Sequence, residues 1–409
     1  MRSRRVGTAT PPSGHLLPRT LGAVTMAIAM TTAAAPAIHA TPEAPPGTMT
    51  RTAPLPTPLT ALASARLLTL TSRDAHDQPR TMSASLFVPH TRWLGPGRQP
   101  LVAMAVGTYG QGDRCAPSRA FTSPVSVSAT EQQVGYEISS VALLLARGYA
   151  VVVPDYLGMA QPGVHTYLNR IEQGRAVIDA ARAATSVARL SGPVGFWGYS
   201  QGGAAAGAAA ELQPVYAPRL ALRAVYSGAP PGDVTAALRN HNIMALPILG
   251  WSANSAMATD PALRQPVSAV LNPAGRTFLR RIAQMCLPDA AIAYGTTPSS
   301  QLTADGRPLA DALLAIPGFA GWARAQRLGT VAPRARVLVH SARNDDVVPF
   351  ADQTRLVRAW RSLGAHVDHL VFDLPPTSPG LGMDHSWPHQ VDNARALDWF
   401  APNLTRRGD

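Results

Sequence analysis

The 409-residue sequence contains no lysine, so its net charge of +12 rests on arginine alone. Those arginines are scattered. No run of about five adjacent basic residues occurs, and no basic stripe interleaved with aromatics, which argues against a nucleic-acid surface. Cysteine is almost missing too. Cys115 and Cys286 are the whole complement, and the spacing of Cys, His and acids makes no zinc pattern. Charged residues amount to only 15% and hydrophobic ones to 46%, a balance that excludes a disordered chain and supports a buried core. Pro (38) and Gly (33) are frequent but follow no Gly-X-Y period, so collagen-like and repeat architectures are excluded.

Long apolar runs are absent except near the N-terminus. Arg2, Arg4, Arg5 and Arg19 lead into a mostly apolar run over 21–35, followed by small residues around Ala37 and Ala40. This is the order of a secretory signal, and the run is too short for a membrane span. Cleavage after Ala37 satisfies the small-x-small rule through Ala35, whereas cleavage after Ala40 places Ile38 at the minus-three position; both sites stay open. The Arg4-Arg5 pair stands too far ahead of the apolar run for a twin-arginine signal, so general export is expected. Residues 1–40 are thus read as a signal peptide, leaving a secreted chain without an integral membrane segment. In such a chain Cys115 and Cys286 are a disulfide candidate, the alternative being two buried free thiols.

Residues 41–60 are rich in Pro, Thr and Ala without periodic hydrophobicity and read as a flexible lead-in. Beyond them, β-prone segments alternate with longer helical ones, the pattern of an α/β fold with a mostly parallel sheet flanked by helices. Strands are expected at 67–71, 82–88, 101–106, 150–153, 194–197, 221–226, 336–340 and 367–372, several of them continuous apolar runs suited to burial on both faces. Helices are expected at 138–147, 167–190, 201–212, 351–363 and 389–399. The stretch 231–330 breaks the rhythm, offering only helix-like apolar patches such as 243–251 and 309–319. It reads as a helical cap inserted between core segments 61–230 and 331–405.

Val194-Gly195-Phe196-Trp197-Gly198-Tyr199-Ser200-Gln201-Gly202-Gly203 sets G-x-S-x-G directly after a short apolar strand and before an Ala-rich helix. That context marks a nucleophile elbow, in which a tight strand-to-helix turn lifts Ser200 clear of the sheet and only glycine fits at 198 and 202. A nucleotide-binding turn is excluded, because neither G-x-G-x-x-G nor a P-loop lysine is present. A serine hydroxyl becomes a nucleophile only when an imidazole accepts its proton, and the imidazole needs a carboxylate to hold its tautomer. In this architecture the chain order is Ser, acid, His. The loop after strand 336–340 supplies Asp345 and Asp346, and a later Gly/Pro-rich loop supplies His385, with His389 close behind. His385 is favoured because it lies before the last helix, whereas His389 follows Pro388 and would fall in that helix's first turn. For an oxyanion, one donor is the backbone N–H of Gln201 and the other comes from the glycine-rich loop 107–118, with Thr108 or Tyr109 as candidates.

These motifs together resemble the secretory lipase family of α/β-hydrolases, which includes fungal lipase A and many exported bacterial members. The resemblance runs from about 67 to 400. It rests on Gly107-Thr108 with Cys115-Ala116-Pro117-Ser118, on Gly148-Tyr149-Ala150-Val151-Val152-Val153-Pro154-Asp155-Tyr156-Leu157-Gly158, on the elbow, and on Asp345 to Pro349 ahead of His385. It implies a triad that carries onto Ser200, Asp345 and His385, with Asp345 rather than Asp346 as the acid. It also implies a helical cap over an acyl pocket and a disulfide from the first loop to the cap, which Cys115 and Cys286 fit. One departure is Val106-Gly107, where many bacterial members begin the oxyanion loop with His-Gly. Asp155 precedes the nucleophile and is expected to be structural. The expected activity is hydrolysis of carboxylic esters, small-molecule or lipid, through an acyl-enzyme and without metal or organic cofactor. An acyltransferase, a peptidase and a non-catalytic binding protein on the same scaffold are the alternatives.

Overall fold

A computed structural model describes residues 44–128 and 131–406; the expected signal peptide lies outside them. The strands are β1 (Met49–Pro54), β2 (Ala63–Arg73), β3 (Pro79–Pro89), β4 (Leu101–Ala105), β5 (Val125–Val127), β6 (Gln132–Val134), β7 (Ala150–Pro154), β8 (Val194–Tyr199), β9 (Leu222–Gly228), β10 (Arg336–Ala342) and β11 (Val367–Phe372). β5 and β6 pair with each other, and the rest form one nine-stranded sheet in the order β1-β2-β3-β7-β4-β8-β9-β10-β11. Pairing is antiparallel from β1 through β2 and β3 to β7 and parallel from β7 through β4 to β11.

Local sequence explains the division. β4, β7 and β8 are buried at every position, as apolar strands covered on both faces must be. β2 alternates exposed and buried positions along much of its length, as a strand with one wet face does. Helices Arg170–Val187 and Gln201–Tyr216 lie against the sheet, their closeness permitted by small residues. At Gly174, for example, a Cβ would stand 3.0 Å from the Ala208 carbonyl carbon.

Three expectations are corrected. The lead-in is not structureless, since β1 pairs with β2 from within it. The polar Thr-rich segment suits an edge strand that gets its order from main-chain bonds rather than burial. The helix expected at 167–190 begins at Arg170, where the Asn169 side chain accepts the N–H groups of Ile171 and Glu172, a cap that outranks the apolar pattern before it. The last helix is two, Met383–Val391 and Asn393–Thr405.

Between β9 and β10 the chain forms helices, among them Ala245–Thr259, Pro273–Ile282, Leu287–Tyr294 and Pro317–Ala325. Trp251, Phe278, Ile282, Leu313 and Phe319 gather there into a hydrophobic cluster distinct from that of the sheet. A disulfide joins Cys115 to Cys286 across 171 residues, tying this helical layer to the loop after β4. Main-chain bonds flank it, from Gln111 N–H to the Met285 carbonyl (3.1 Å) and from Leu287 N–H to the Tyr109 carbonyl (2.9 Å). Gly110 must be glycine here: its φ is +124° and a Cβ would meet the Met285 carbonyl oxygen at 2.4 Å. Among the described residues, no helix is long and apolar enough to cross a membrane.

Candidate active site

The carboxyl ends of the parallel strands carry the loops that build a site, as open α/β sheets require. Ser200, between β8 and helix Gln201–Tyr216, has φ 58° and ψ −122°. A non-glycine residue in such a conformation costs about 1–3 kcal/mol and persists only where its surroundings enforce it. Enforcement comes from its own N–H, bonded to the Gly228 carbonyl at 2.8 Å, and from the glycines on either side. A Cβ on Gly198 would lie 2.1 Å from the Gly202 carbonyl oxygen, and one on Gly202 would lie 2.0 Å from that of Ala105.

His385 Nε2 stands 2.8 Å from Ser200 Oγ, and its Nδ1 faces the Asp345 carboxylate at 2.9 and 3.0 Å. Asp345 is held in turn. Its Oδ1 accepts the N–H groups of Val347 (3.0 Å) and Val348 (2.8 Å), and its Oδ2 accepts Gln353 Nε2 (3.1 Å). Asp346 faces another way, accepting the N–H groups of Gly382 (2.8 Å) and His385 (3.1 Å). It thereby caps helix Met383–Val391, whose start is Gly382 at φ +74°. The expectation that His385 sits in a loop and that the helix begins near His389 is therefore corrected: His385 belongs to the first turn. The cap lies 36 residues upstream of Gly382, so nothing local announces this start. Pro388, read as a helix-opening proline, sits inside the helix. The Tyr199 hydroxyl donates to the His385 carbonyl at 2.6 Å. His389, one turn on, does not reach Ser200. Its ring stacks on Tyr199 with centroids 4.4 Å apart, its Nε2 lies 3.4 Å from Ser140 Oγ, and burial pushes its pKa down to about 3.

Gln201 opens the helix after Ser200, where backbone N–H groups lack intrahelical acceptors and the helix dipole is positive. Its side-chain amide contacts His165 Nε2 at 3.1 Å, while His165 Nδ1 lies 3.3 Å from the Leu157 carbonyl. Burial lowers the His165 pKa to about 4, so the ring is neutral, with Nδ1–H donating to the carbonyl and Nε2 accepting from Gln201. The two candidates in the loop after β4 part company. Thr108 lines the cavity beside Ser200. Tyr109 is not among the lining residues; its ring stacks on Tyr136, 4.9 Å between centroids. Asp155 is buried, its Oδ2 accepting the hydroxyls of Ser83 and Ser118, both at 2.6 Å, as a structural anchor would be.

A cavity of about 600 Å³ opens over Ser200. Its lining includes Ile248, Leu287 and Ala291 of the helical layer and Val347, Leu381 and Met383 from the segments after β10 and β11. One acid enters this lining, Glu137, in the turn before helix Ile138–Ala146. An imidazole between a hydroxyl and a carboxylate, at the edge of an apolar cavity, is equipped to turn the hydroxyl into a nucleophile toward an uncharged carbonyl.

The family model for secretory lipases matches residues 122–407, which include Ser200, Asp345 and His385. The chain belongs to the secretory lipase family. Relatives of this family member include a protein of Mycobacterium tuberculosis named as a probable inactive lipase, 29% identical over 323 residues, spanning 77% of this chain and 69% of that one. A secreted triacylglycerol lipase of Malassezia restricta is 27% identical over 311 residues, spanning 74% and 64%. Among solved structures, Candida antarctica lipase A in its closed state superposes with a TM-score of 0.72 at 19% identity, over 89% of this chain and 84% of that one. The rice cell wall degrading esterase LipA from Xanthomonas oryzae gives 0.70 at 19% identity, over 88% and 100%. The fold is thus that of the α/β-hydrolases.

Four residues of this family member escaped the sequence reading: Glu137, His165, Asp346 in its capping role, and His389 as a neutral wall of the cavity. Only Glu137 left a local signal, an acid immediately ahead of the apolar helix 138–146. The others act through contacts that only folding creates.

Proposed function

We propose that this chain, a carboxylic ester hydrolase by family, is an exported serine hydrolase working through an acyl-enzyme. The observation that carries the reading is the unbroken chain from Ser200 Oγ through His385 to Asp345, at 2.8 and 2.9 Å, beside an apolar cavity. His385 Nε2 takes the hydroxyl proton as Ser200 Oγ adds to the ester carbonyl, and Asp345 stabilises the imidazolium. The oxyanion accepts from the N–H of Gln201 and from a backbone N–H of the loop after β4, that of Thr108 or Tyr109. Collapse of the tetrahedral adduct breaks the ester C–O bond, with His385 giving its proton to the departing alcohol. Water then attacks the acyl-serine with His385 again as base, releasing the carboxylic acid and restoring Ser200.

The cavity lining favours acyl chains over charged groups. Val134, Leu381 and Met383 line it yet remain 43%, 56% and 46% exposed, so the mouth offers apolar groups suited to a lipid–water interface beside the exposed Ser386 and Gln390. The residues between β9 and β10 serve as the cap over this acyl site. Export rests on the signal-like segment 1–40.

The Mycobacterium relative named inactive makes a non-catalytic binding protein the second reading. Purified protein should hydrolyse p-nitrophenyl esters and be labelled by a fluorophosphonate at Ser200, with both signals gone in Ser200→Ala. Activity that survives this substitution would refute the serine mechanism, and complete failure of labelling would favour the binding reading.

A further inference from the structure

Glu137 is 1% exposed and has a role no triad assigns it. Its Oε1 accepts the Gly107 N–H at 2.9 Å, and its own backbone N–H donates to the Tyr109 hydroxyl at 3.4 Å. The preceding residue adds a third contact, the Tyr136 hydroxyl donating to the Thr108 carbonyl at 3.1 Å. Tyr136 and Glu137 therefore grip three consecutive residues of the loop after β4, the loop that faces Ser200. A Cβ at 107 would stand 2.6 Å from the Tyr136 hydroxyl, so a side chain there would displace that hydroxyl from the loop.

The second oxygen of Glu137 is buried without a hydrogen-bond partner. Among the described residues, no cation is among the influences on this carboxyl. Burial is the dominant influence on the carboxyl, with the Gly107 N–H as the opposing one, and together they leave its pKa near 8. A carboxylate so placed is strongly disfavoured against its neutral form.

We propose that Glu137 is a positioning residue for ester hydrolysis: its neutral carboxyl holds the Gly107 backbone, and with it the adjoining Thr108, in place for the oxyanion, and its ionisation suppresses turnover at alkaline pH. The inference rests on the hydrolase reading above. Ionisation puts a negative charge on the wall of the cavity in which the substrate oxygen becomes negative. At cavity dimensions and an effective dielectric of about 20, that repulsion slows the reaction about tenfold or more.

The surroundings make the effect readable. Tyr109, Tyr136, Tyr156 and Tyr226 feel the Glu137 charge, and burial pushes each hydroxyl well above its ordinary range. His389, on the same cavity, is held neutral, and His385 is the base itself. The chain has no lysine, and both cysteines are bridged, so neither an ε-ammonium nor a thiol titrates between neutrality and pH 10.

The test is kcat for a soluble, uncharged short-chain ester between pH 6 and 10, measured by titrating released acid. Wild type should lose about tenfold or more between pH 7 and 9.5, with a midpoint near 8. Glu137→Gln keeps an acceptor for Gly107 and cannot ionise, so its kcat at pH 9.5 should stay within about threefold of its own value at pH 7. Tyr136→Phe, which removes one contact and no charge, should lower kcat throughout and leave the alkaline midpoint unmoved. A flat wild-type profile to pH 9.5, the same midpoint in Glu137→Gln, or a loss that tracks unfolding by circular dichroism would each overturn the inference while leaving the hydrolase reading intact. Absence of turnover in all variants, with Ser200 unlabelled by a fluorophosphonate, would bring down that reading and this inference with it.

Discussion

Asp345 and Asp346 are adjacent, yet substituting them should fail in different ways. Asp345→Asn removes the charge behind His385 and leaves most of the geometry, so kcat should fall by about three to four orders of magnitude with little change in melting temperature. Asp346→Ala removes the acceptor for two N–H groups at a helix start, which should destabilise the fold by about 1–2 kcal/mol. Its smaller kinetic effect would come through a loosened His385. Equal kinetic losses in the two variants would contradict this division. Order along the chain pointed to an aspartate in this loop, but the choice between neighbours needed the family resemblance. Spacing cannot tell which way consecutive side chains turn. Glu137 and His165 were hidden for a related reason: each works through contacts to residues outside its own element, leaving no periodic trace.

At the scale of elements, the central parallel strands β4, β7 and β8 were readable because each is buried on both faces, and the elbow because glycine is forced at fixed offsets around Ser200. β1 was not readable. Its residues bury little, and its order is borrowed from β2 through main-chain bonds. The start of helix Met383–Val391 was equally opaque, since the capping group is remote in sequence. The disulfide carries a prediction of its own. Replacing Cys115 and Cys286 together by serine should lower stability by up to about 5 kcal/mol on the chain-entropy model. Because Leu287 and Pro288, next to Cys286, line the cavity, KM should rise as well. Unchanged melting in reducing and oxidising buffer would rule out a stabilising bridge.

Across the whole molecule, buried titratable groups set opposing pH dependences. Burial raises Glu137 to about 8 and Asp155 and Asp179 to about 6, and it lifts Glu172 and Asp352 in the same direction. Each of these contributes stability that is complete below its unfolded pKa and is lost as pH rises through its folded one. His165 and His389, lowered to about 4 and about 3, act in reverse, destabilising the fold as pH drops below the ordinary imidazole range. Above that range the histidines fall silent and Glu137 reaches furthest. Melting temperature should therefore decline between about pH 6.5 and 8, by no more than about 1.4 kcal/mol of stability per pH unit for this one proton. Glu137→Gln should flatten that decline, and a wild-type curve that rises over the interval would refute the assignment. The active constellation also spans the chain, with Ser200 and His385 separated by 185 residues. During synthesis the serine leaves the ribosome well before the imidazole proposed to activate it. A nascent or C-terminally clipped chain thus carries the serine without its proposed base, and the proposed hydrolysis waits until the last helices have been made.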